Sequence, residues 1–263
     1  MNNNWNLESE RLDIALVHRG MVKTREQARQ LIKTGKVQAR GQITTKPALK
    51  IHNEDSVILL EQLPYVGRGG LKLEEALKRF SIHVNGIIAL DVGASTGGFT
   101  DCLLQHGASF IYAVDVGHNQ LSPKILSDPH VKAFEHTDIR KLKSLPQPVD
   151  LVVIDVSFIS LRLVLPEVIR FLKPGTGRII ALIKPQFEAG PGSVNKKGII
   201  KNHDLREKTV QELLRWIQEQ GWSVLNLIPS PIRGGDGNIE YLVYLTAIVF
   251  DDREKLEVKR LGR

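Results

Sequence analysis

From residue 86 onward, short hydrophobic runs alternate with stretches whose apolar residues recur every three or four positions. The runs predict buried strands, and the helical spacing predicts the helices that connect them. The predicted strands are 87–91, 110–114, 150–155, 178–183, 222–228 and 240–249, and the predicted helices are 71–80, 98–106, 121–127, 161–172 and 203–220. Strands that alternate with helices form a mostly parallel sheet that is covered on both faces. The pattern therefore predicts a doubly wound, Rossmann-like α/β sheet.

The connection between the last two predicted strands is too short for a crossover helix. It runs from Ser230 to Asn238 and is rich in glycine. Parallel neighbours need a connection of about a dozen residues or more, whereas antiparallel strands can be joined directly. We therefore expect the last strand to be antiparallel to its neighbour. The charged residues 251–263 that follow it are expected to form a poorly ordered tail.

The first 62 residues have a different pattern and predict a small α+β domain. Residues 11–17 show helical spacing, and Thr24 with Gln27 has the form of a capping box before a second helix. Short strands are predicted at 36–39 and 57–60, with a turn at residues 40–41. Residues 63–70 contain one proline and three glycines and are interpreted as a linker. The chain is thus divided into 1–62, a linker 63–70, a large domain 71–250 and the tail.

Positive charge is concentrated in the small domain. Residues 11–50 contain ten Lys or Arg and two acidic residues, whereas the whole chain has a net charge of +7. Such a segment is typical of nucleic-acid binding, although a solvated helix face would also be basic. Positions 25, 29 and 33 recur every four residues and predict one cationic stripe. The predicted RNA-binding residues are Arg11, Arg19, Arg25, Arg29, Lys33, Lys36 and Arg68.

Composition excludes several classes of protein. The single cysteine, Cys102, cannot support a disulfide framework or a cysteine-based metal site. The eight histidines have no ligand spacing, so no metal is expected. No apolar run approaches the roughly 18 residues of a membrane span. The N-terminus lacks the form of a signal peptide, and a cytoplasmic protein is expected.

A glycine-rich loop follows the first strand of the large domain. Its sequence is Asp91-Val92-Gly93-Ala94-Ser95-Thr96-Gly97-Gly98, and Asp115 ends the next strand. An acid at that position can accept hydrogen bonds from the hydroxyls of a ribose. The loop is not the G-x-G-x-x-G fingerprint of dinucleotide binding, and it contains no basic residue. A nucleoside cofactor without a pyrophosphate fits better, and S-adenosylmethionine is the natural candidate; an ordinary glycine-rich turn is the alternative.

Charged residues lie at three further strand ends. Asp155 and Lys184 follow hydrophobic strands, and Glu240 opens the last one. A strand that enters antiparallel starts where the parallel strands stop, so Glu240 is expected near the other two. Lys72, at the start of the preceding helix, is a fourth candidate. Each residue alone has an ordinary structural explanation, and only the combination predicts a catalytic site.

The chain resembles, over nearly its whole length, the TlyA family of rRNA ribose 2′-O-methyltransferases, some of which are labelled haemolysins. The small domain is similar to the alpha-L RNA-binding motif, and the large domain to FtsJ-type methyltransferases. The segments that carry the resemblance are Arg11-Leu12-Asp13, Thr24-Arg25, Ala28-Arg29, Gly35-Lys36-Val37, Arg68-Gly69-Gly70-Leu71-Lys72, Asp91 to Thr100, Asp155-Val156-Ser157-Phe158, Lys184-Pro185-Gln186-Phe187-Glu188 and Gly237-Asn238-Ile239-Glu240.

The resemblance implies a catalytic tetrad and a set of cofactor contacts. The tetrad corresponds to Lys72, Asp155, Lys184 and Glu240, and we interpret Lys184 as the base. The implied S-adenosylmethionine contacts are Asp91, Gly93, Ser95, Thr96, Gly97, Asp115 and Asp155, with Asp138 at the adenine. Ribosomal RNA or a ribosomal subunit is the expected partner. A non-catalytic RNA-binding factor, a haemolysin and an NAD-dependent dehydrogenase are the less favoured alternatives.

Overall fold

A computed structural model describes residues 9–60, 64–190, 192–234 and 237–247 of the chain. The chain divides into two compact units after Arg68. The predicted tail 251–263 and the end of the last predicted strand, 248–249, lie outside the described residues.

The first unit combines two helices with short strands, as predicted. Its elements are β1 (Glu10–Arg11), α1 (Leu12–His18), α2 (Arg25–Lys33), β2 (Val37–Ala39), β3 (Gln42–Ile43), β4 (Lys50–Ile51) and β5 (Val57–Leu59). The side chain of Thr24 accepts a hydrogen bond from the backbone N–H of Gln27 at 3.2 Å, so the predicted cap of α2 is present. The predicted turn at Arg40 and Gly41 joins β2 to β3, and both residues have positive φ. This geometry is typical of a two-residue hairpin.

The core of the first unit is small and apolar. The fully buried side chains come from both helices and from the strands beneath them: Leu12, Ala15, Leu16, Ala28, Ile32, Val37 and Ile51. The spacing of these residues along α1 and α2 places them on one face of each helix. The basic residues of the two helices are thereby left on the other faces.

The second unit is built on one large sheet. Its elements are α3 (Gly69–Arg79), β6 (Ile88–Val92), α4 (Gly98–Gln105), β7 (Phe110–Val114), α5 (Pro123–Leu126), β8 (Val131–Phe134), β9 (Leu151–Ile154), α6 (Leu161–Val168), β10 (Arg178–Ile183), α7 (Pro185–Glu188), α8 (His203–Glu219), β11 (Trp222–Pro229) and β12 (Tyr241–Ala247). Within the described residues the sheet has seven strands in the order β11-β12-β10-β9-β6-β7-β8. Only β12 runs opposite to the other six strands of the described sheet, as the short connection predicts.

Four details of the second unit differ from the prediction. The edge strand β8 was missed because it has four residues, with Lys132 among them, and pairs only with β7. The single turn α7 was missed as well. The helix predicted at 161–172 ends at Val168 and continues as a 3₁₀ turn to Phe171. Finally, α3 begins at Gly69, inside the predicted linker, where a Cβ would lie 3.1 Å from the ring of Phe99.

The sheet brings several strand ends to one edge. The carboxyl ends of β6, β7, β9 and β10 meet there, and the antiparallel β12 begins there, with Tyr241 opposite Ile183. The strands themselves are apolar and buried, with β9 buried throughout. The polar residues that follow them are therefore concentrated at this carboxyl edge, where ligands of such sheets bind.

Candidate active site

The glycine loop after β6 makes two close approaches to its surroundings. Gly93 has φ +82°, and a Cβ there would lie 2.5 Å from the carbonyl oxygen of Asp155. Gly97 has φ +92°, and a Cβ there would lie 2.7 Å from Cγ1 of Ile125. Any larger residue would push the loop away, so both glycines are required by space as well as by conformation. Helix α4 begins immediately afterwards, at Gly98.

Asp91 lies beneath this loop and is fully buried. Its Oδ2 accepts a hydrogen bond from Oγ1 of Thr100 at 2.7 Å, and its Oδ1 has no hydrogen-bond partner among the described residues. Burial, reinforced by the charge of Asp155, raises the pKa of Asp91 to about 7 against the lowering effect of Thr100. The carboxyl therefore connects the strand before the loop to the helix after it.

Asp115 connects the loop to the end of β7. Its Oδ2 accepts a hydrogen bond from the backbone N–H of Ser95 at 2.8 Å, and its Oδ1 accepts one from Gly117 at 2.6 Å. One carboxylate thus holds two backbone segments together at the carboxyl edge. Ser95 is itself in the left-handed region, with φ +48°.

These loops enclose a cavity of about 840 Å³. Five of the predicted cofactor residues line it, namely Gly93, Ser95, Asp115, Asp138 and Asp155, whereas Asp91, Thr96 and Gly97 do not. The rest of the wall is largely apolar and comes from the strand ends and from α6. A cavity of this size and composition suits a small organic ligand.

Asp138 is the acid of the cavity that is paired with an arginine in the described residues. Its Oδ2 lies 2.6 Å from Nη2 of Arg140, whose Nε and backbone N–H also donate to it. Hydrogen bonds from Arg140 outweigh burial and lower the pKa of Asp138. Both oxygens of Asp138 therefore already accept hydrogen bonds from Arg140, so a ligand at this position would share the carboxylate with the arginine.

The structure brings the four predicted tetrad residues together. Nζ of Lys72 lies 2.7 Å from Oε2 of Glu240 and 3.9 Å from Oδ2 of Asp155. The other oxygen of Asp155, Oδ1, lies 2.7 Å from Nζ of Lys184. The order Glu240, Lys72, Asp155, Lys184 forms a chain of alternating negative and positive charges.

The four charged side chains of the tetrad are largely shielded from solvent. Glu240 is 3% exposed and Lys72 is 7% exposed, while Lys184 and Asp155 are nearer the surface. Buried charges are tolerated when each has an opposite partner, as here. Asp155 also lines the cavity, so the tetrad and the cavity share one carboxylate.

Sequence reasoning missed a further contact of Lys184. Its Nζ also donates to Oγ of Ser157 at 2.7 Å, and Ser157 lines the cavity. Ser157 stands two residues after Asp155, within a segment that carries the family resemblance, and that position was the available signal. Through Ser157 and Asp155, the amine of Lys184 lies beside the cavity wall.

Two aromatic rings at the cavity mouth were missed as well. Phe158 is 90% exposed and has φ +63°, which is strained for a bulky side chain. Its ring centroid lies 5.0 Å from that of Phe187, on α7.

Glu188, the last residue of α7, accepts hydrogen bonds from Oγ of Ser160 and the backbone N–H of Leu161. This contact ties α7 to the start of α6, and burial raises the pKa of Glu188.

In the first unit, three of the predicted RNA-binding arginines share one carboxylate. Asp13 is completely buried and accepts hydrogen bonds from Nε of Arg11 at 2.9 Å, of Arg25 at 2.9 Å and of Arg29 at 3.0 Å. Burial alone would raise the pKa of Asp13, but the hydrogen bonds outweigh it and lower the pKa well below its usual range. Arg25 and Arg29 remain about half exposed. The buried carboxylate of Asp13 therefore fixes these arginines while their side chains stay accessible to a ligand.

The other predicted RNA-binding residues have different surroundings. Arg19 donates to three backbone oxygens, those of His52, Asn53 and Asp55, and so holds a turn. Lys33 is exposed, and Nη2 of Arg68 lies 3.5 Å from Glu26. The other predicted residue, Lys36, is half-buried. The predicted stripe is therefore an arginine cluster around Asp13, with Lys33 beyond it.

Comparison with known proteins finds a matching family for each of the two units. The FtsJ-like methyltransferase family matches residues 65–247, and the S4 domain matches residues 10–57. The chain belongs to the FtsJ-like methyltransferase family. Its relatives include the 16S/23S rRNA (cytidine-2′-O)-methyltransferase TlyA of Mycobacterium tuberculosis, which is 41% identical over 89% of each chain.

Other relatives of this FtsJ-like methyltransferase are named for haemolysis. Hemolysin A of Brachyspira hyodysenteriae is 42% identical over 89% of this chain and 98% of its own. A solved structure described as a hemolysin, from Streptococcus thermophilus, is 41% identical, covers 92% of this chain and 90% of its own, and has a TM-score of 0.73. Within the described residues, no helix is both long enough and apolar enough to cross a membrane.

Proposed function

We propose that this FtsJ-like methyltransferase transfers a methyl group from S-adenosylmethionine to the 2′-oxygen of a ribose in ribosomal RNA. The observation that carries the proposal is the meeting of Lys72, Asp155, Lys184 and Glu240 beside a nucleoside-sized cavity. The substrate class is supported by the relative from Mycobacterium tuberculosis, which is named an rRNA (cytidine-2′-O)-methyltransferase. The S4 match supports RNA binding by the first unit.

The cavity fits S-adenosylmethionine better than a dinucleotide. Asp115, Asp138 and Asp155 line it, and its one arginine, Arg140, is already bound to Asp138. Phosphates would be repelled by these acids, whereas a cofactor with a sulfonium and an amino group would be attracted. Asp115, Ser95 and Gly93 would hold the cofactor, which supplies a methyl group on a positively charged sulfur.

Lys184 is proposed to remove the proton of the 2′-hydroxyl while the new bond forms, which requires its amine to be in the neutral form before the step. A hydroxyl is a poor nucleophile at neutral pH, so a base at hydrogen-bond distance increases the rate. Asp155 and Ser157 hold Nζ of Lys184 beside the cavity, and Lys72 with Glu240 fixes Asp155 from the other side. The chain's main contribution is to hold hydroxyl and methyl group in line, since positioning is the larger source of rate.

Replacing Asp115 by Ala is expected to weaken cofactor binding by about 1.5–3 kcal/mol, equivalent to about a 10- to 150-fold rise in Kd. The change removes the proposed ribose acceptor and the two backbone hydrogen bonds that shape the loop. Isothermal titration calorimetry with S-adenosylmethionine measures the effect. Asp204→Ala removes a carboxylate that is 99% exposed on α8 and serves as the control. Equal affinities for the two variants would show that Asp115 does not hold the cofactor.

Methyl transfer to ribosomal RNA tests the proposed function directly. The full chain is incubated with labelled S-adenosylmethionine and separated small or large ribosomal subunits, and 2′-O-methylated positions are then mapped. Label at one or a few ribose positions is the expected result. Label on a base, or none on RNA from either subunit, would contradict the proposal. Binding of RNA without methyl transfer would instead favour a non-catalytic RNA-binding factor.

A further inference from the structure

A second, smaller cavity lies at the start of β12. It has a volume of about 320 Å³ and shares no lining residue with the larger cavity. Its walls come from residues 199–201, from the first turns of α8 and from the loop that leads into Glu240. Residues 235 and 236 of that loop lie outside the described residues.

The described lining of this cavity carries positive charge. Lys201, Arg206 and Arg233 line it from three different segments, and the described lining contains no acidic side chain. Three cations that converge on one concave site attract an anion, and the cost of bringing them together is recovered when the anion binds. The neighbouring lining residues are aliphatic or glycine, apart from Asn238.

Arg206 is held in place before any ligand arrives. Its side chain is only 11% exposed, and its Nε donates to the hydroxyl oxygen of Tyr241 at 3.2 Å. That hydroxyl in turn donates to Glu207, whose Oε1 lies 3.7 Å from Nε of Arg206. These contacts use the Nε edge of the guanidinium, and within the described residues no hydrogen bond engages its terminal nitrogens. A fixed, planar guanidinium is well suited to bind two oxygens of one phosphate.

The walls of the cavity are tied to each other by the side chain of Asn238, which is 4% exposed. Its Oδ1 accepts from the backbone N–H of Ile200 at 3.2 Å, and its Nδ2 donates to the carbonyl of Gly198 at 2.9 Å. Arg233 is fixed across the loop, since its Nη1 donates to the carbonyl of Gly237 at 3.2 Å. The site therefore combines a buried asparagine and a largely buried arginine with two exposed cations, Lys201 and Arg233.

The loop that forms one wall also carries a tetrad residue. Tyr241, which holds Arg206, directly follows Glu240, which pairs with Lys72. The backbone of Gly234 lies against the carboxylate of Glu240 so closely that a Cβ there would collide with it. Adjacent residues of a strand point to opposite faces, so the two sites lie on either side of the start of β12.

We propose that this basic cavity binds a backbone phosphate of the RNA substrate while the acceptor ribose lies at the tetrad. The inference rests on the proposed function, because phosphates flank every ribose of an RNA chain. Lys201 and Arg233 supply charge at the rim, and Arg206 supplies a directed pair of donors. The cavity thereby contributes to RNA affinity within the methyltransferase unit itself.

The test compares two double variants of the full chain that remove the same charge. Lys201→Gln with Arg233→Gln alters the cavity, whereas Lys208→Gln with Arg215→Gln removes two exposed cations of α8 that do not line it. The cavity variant is expected to raise KM for RNA about tenfold. It is also expected to reduce the salt slope of RNA binding by about 0.7–0.9 for each phosphate that the protein no longer binds. The affinity for S-adenosylmethionine and kcat are expected to remain near wild type, and the control is expected to change KM little.

Each outcome of this comparison either supports or overturns the proposed phosphate site. Equal KM values for the cavity and control variants would overturn the proposal. Inorganic phosphate that binds wild type but not the cavity variant, with no change in KM for RNA, would make the cavity a free-anion site and also overturn it. If the wild-type protein transfers no methyl group, the proposed function fails by itself. Fluorescence anisotropy with ribosomal RNA fragments then still decides the phosphate site, since the cavity variant must bind more weakly than the control.

Discussion

Lys184→Ala is expected to reduce methyl transfer by at least about 100-fold, the usual contribution of a general base. The variant removes the amine that lies 2.7 Å from both Asp155 and Ser157, while Asp115 and the glycine loop remain intact. Cofactor affinity is therefore expected to change little. Single-turnover methyl transfer with labelled cofactor and calorimetry on the same sample measure the two quantities separately.

A second substitution distinguishes a base from a structural cation. Lys184→Arg keeps the positive charge beside Asp155, but a guanidinium does not lose its proton in proteins. It is expected to be as inactive as the alanine variant while unfolding at a temperature near that of wild type. Lys208→Ala, on the exposed surface of α8, is the matched control and is expected to retain activity. Appreciable turnover by Lys184→Arg would assign Lys184 an electrostatic role and move the proton to another acceptor.

Asp13→Asn is expected to weaken binding of ribosomal RNA even though it makes the protein more positive. The buried carboxylate holds Arg11, Arg25 and Arg29, and these guanidiniums repel one another once it is neutral. If net charge alone governed affinity, the variant would bind RNA more tightly, so the sign of the change separates the two explanations. Filter binding over a range of salt concentrations measures affinity and the number of phosphate contacts. Glu54→Gln makes the same change of charge at an exposed position and is the control.

The free energy of unfolding of Asp13→Asn is expected to depend less on pH in the acid range than that of wild type. Because the pKa of Asp13 is lowered in the folded state, its ion pairs stabilise the protein fully above the unfolded pKa of about 3.9. This stabilisation is lost as the pH falls below that value towards the lowered folded pKa. Removing one partner of a buried ion pair costs about 3–5 kcal/mol, and the cost is at the lower end here because Arg25 and Arg29 are half exposed. Chemical unfolding at pH 7 and pH 3 is expected to show a larger difference between wild type and Asp13→Asn at pH 7; an equal difference at both would contradict it.

Most of the fold could be predicted because apolar runs and connection lengths are properties of short stretches of sequence. Runs such as Leu151–Ile154 are buried on both sides and therefore read as continuous apolar strands. The antiparallel direction of β12 followed from the length of one connection. By contrast, β8 forms because β7 offers it a partner, and its four residues contain no apolar run of their own. Pairing between distant segments stabilises such an edge strand, and a local pattern does not record it.

The site was predictable as a set of positions but not as a set of contacts. Strand ends predicted that Asp155, Lys184 and Glu240 share one edge, Lys72 was a fourth candidate from its position, and the resemblance grouped the four as a tetrad. The sequence did not indicate that Lys184 reaches Ser157, or that Asp91 supports the loop without lining the cavity. Those distinctions depend on which way each side chain turns at the end of its element.

By itself, the sequence determined most of the strands and helices, the basic first unit, the charged strand ends of the candidate site, and the class of cofactor that the glycine loop favours. These follow from hydrophobic periodicity, charge and the conformational needs of glycine, which are properties of neighbouring residues. The tertiary structure alone decided that Asp13 holds three arginines and that Glu240 meets Lys72, 168 positions apart along the chain. It also placed Arg206 against Tyr241 in a second basic cavity. Contacts of this kind depend on how the elements pack, because only packing brings buried charges to their partners.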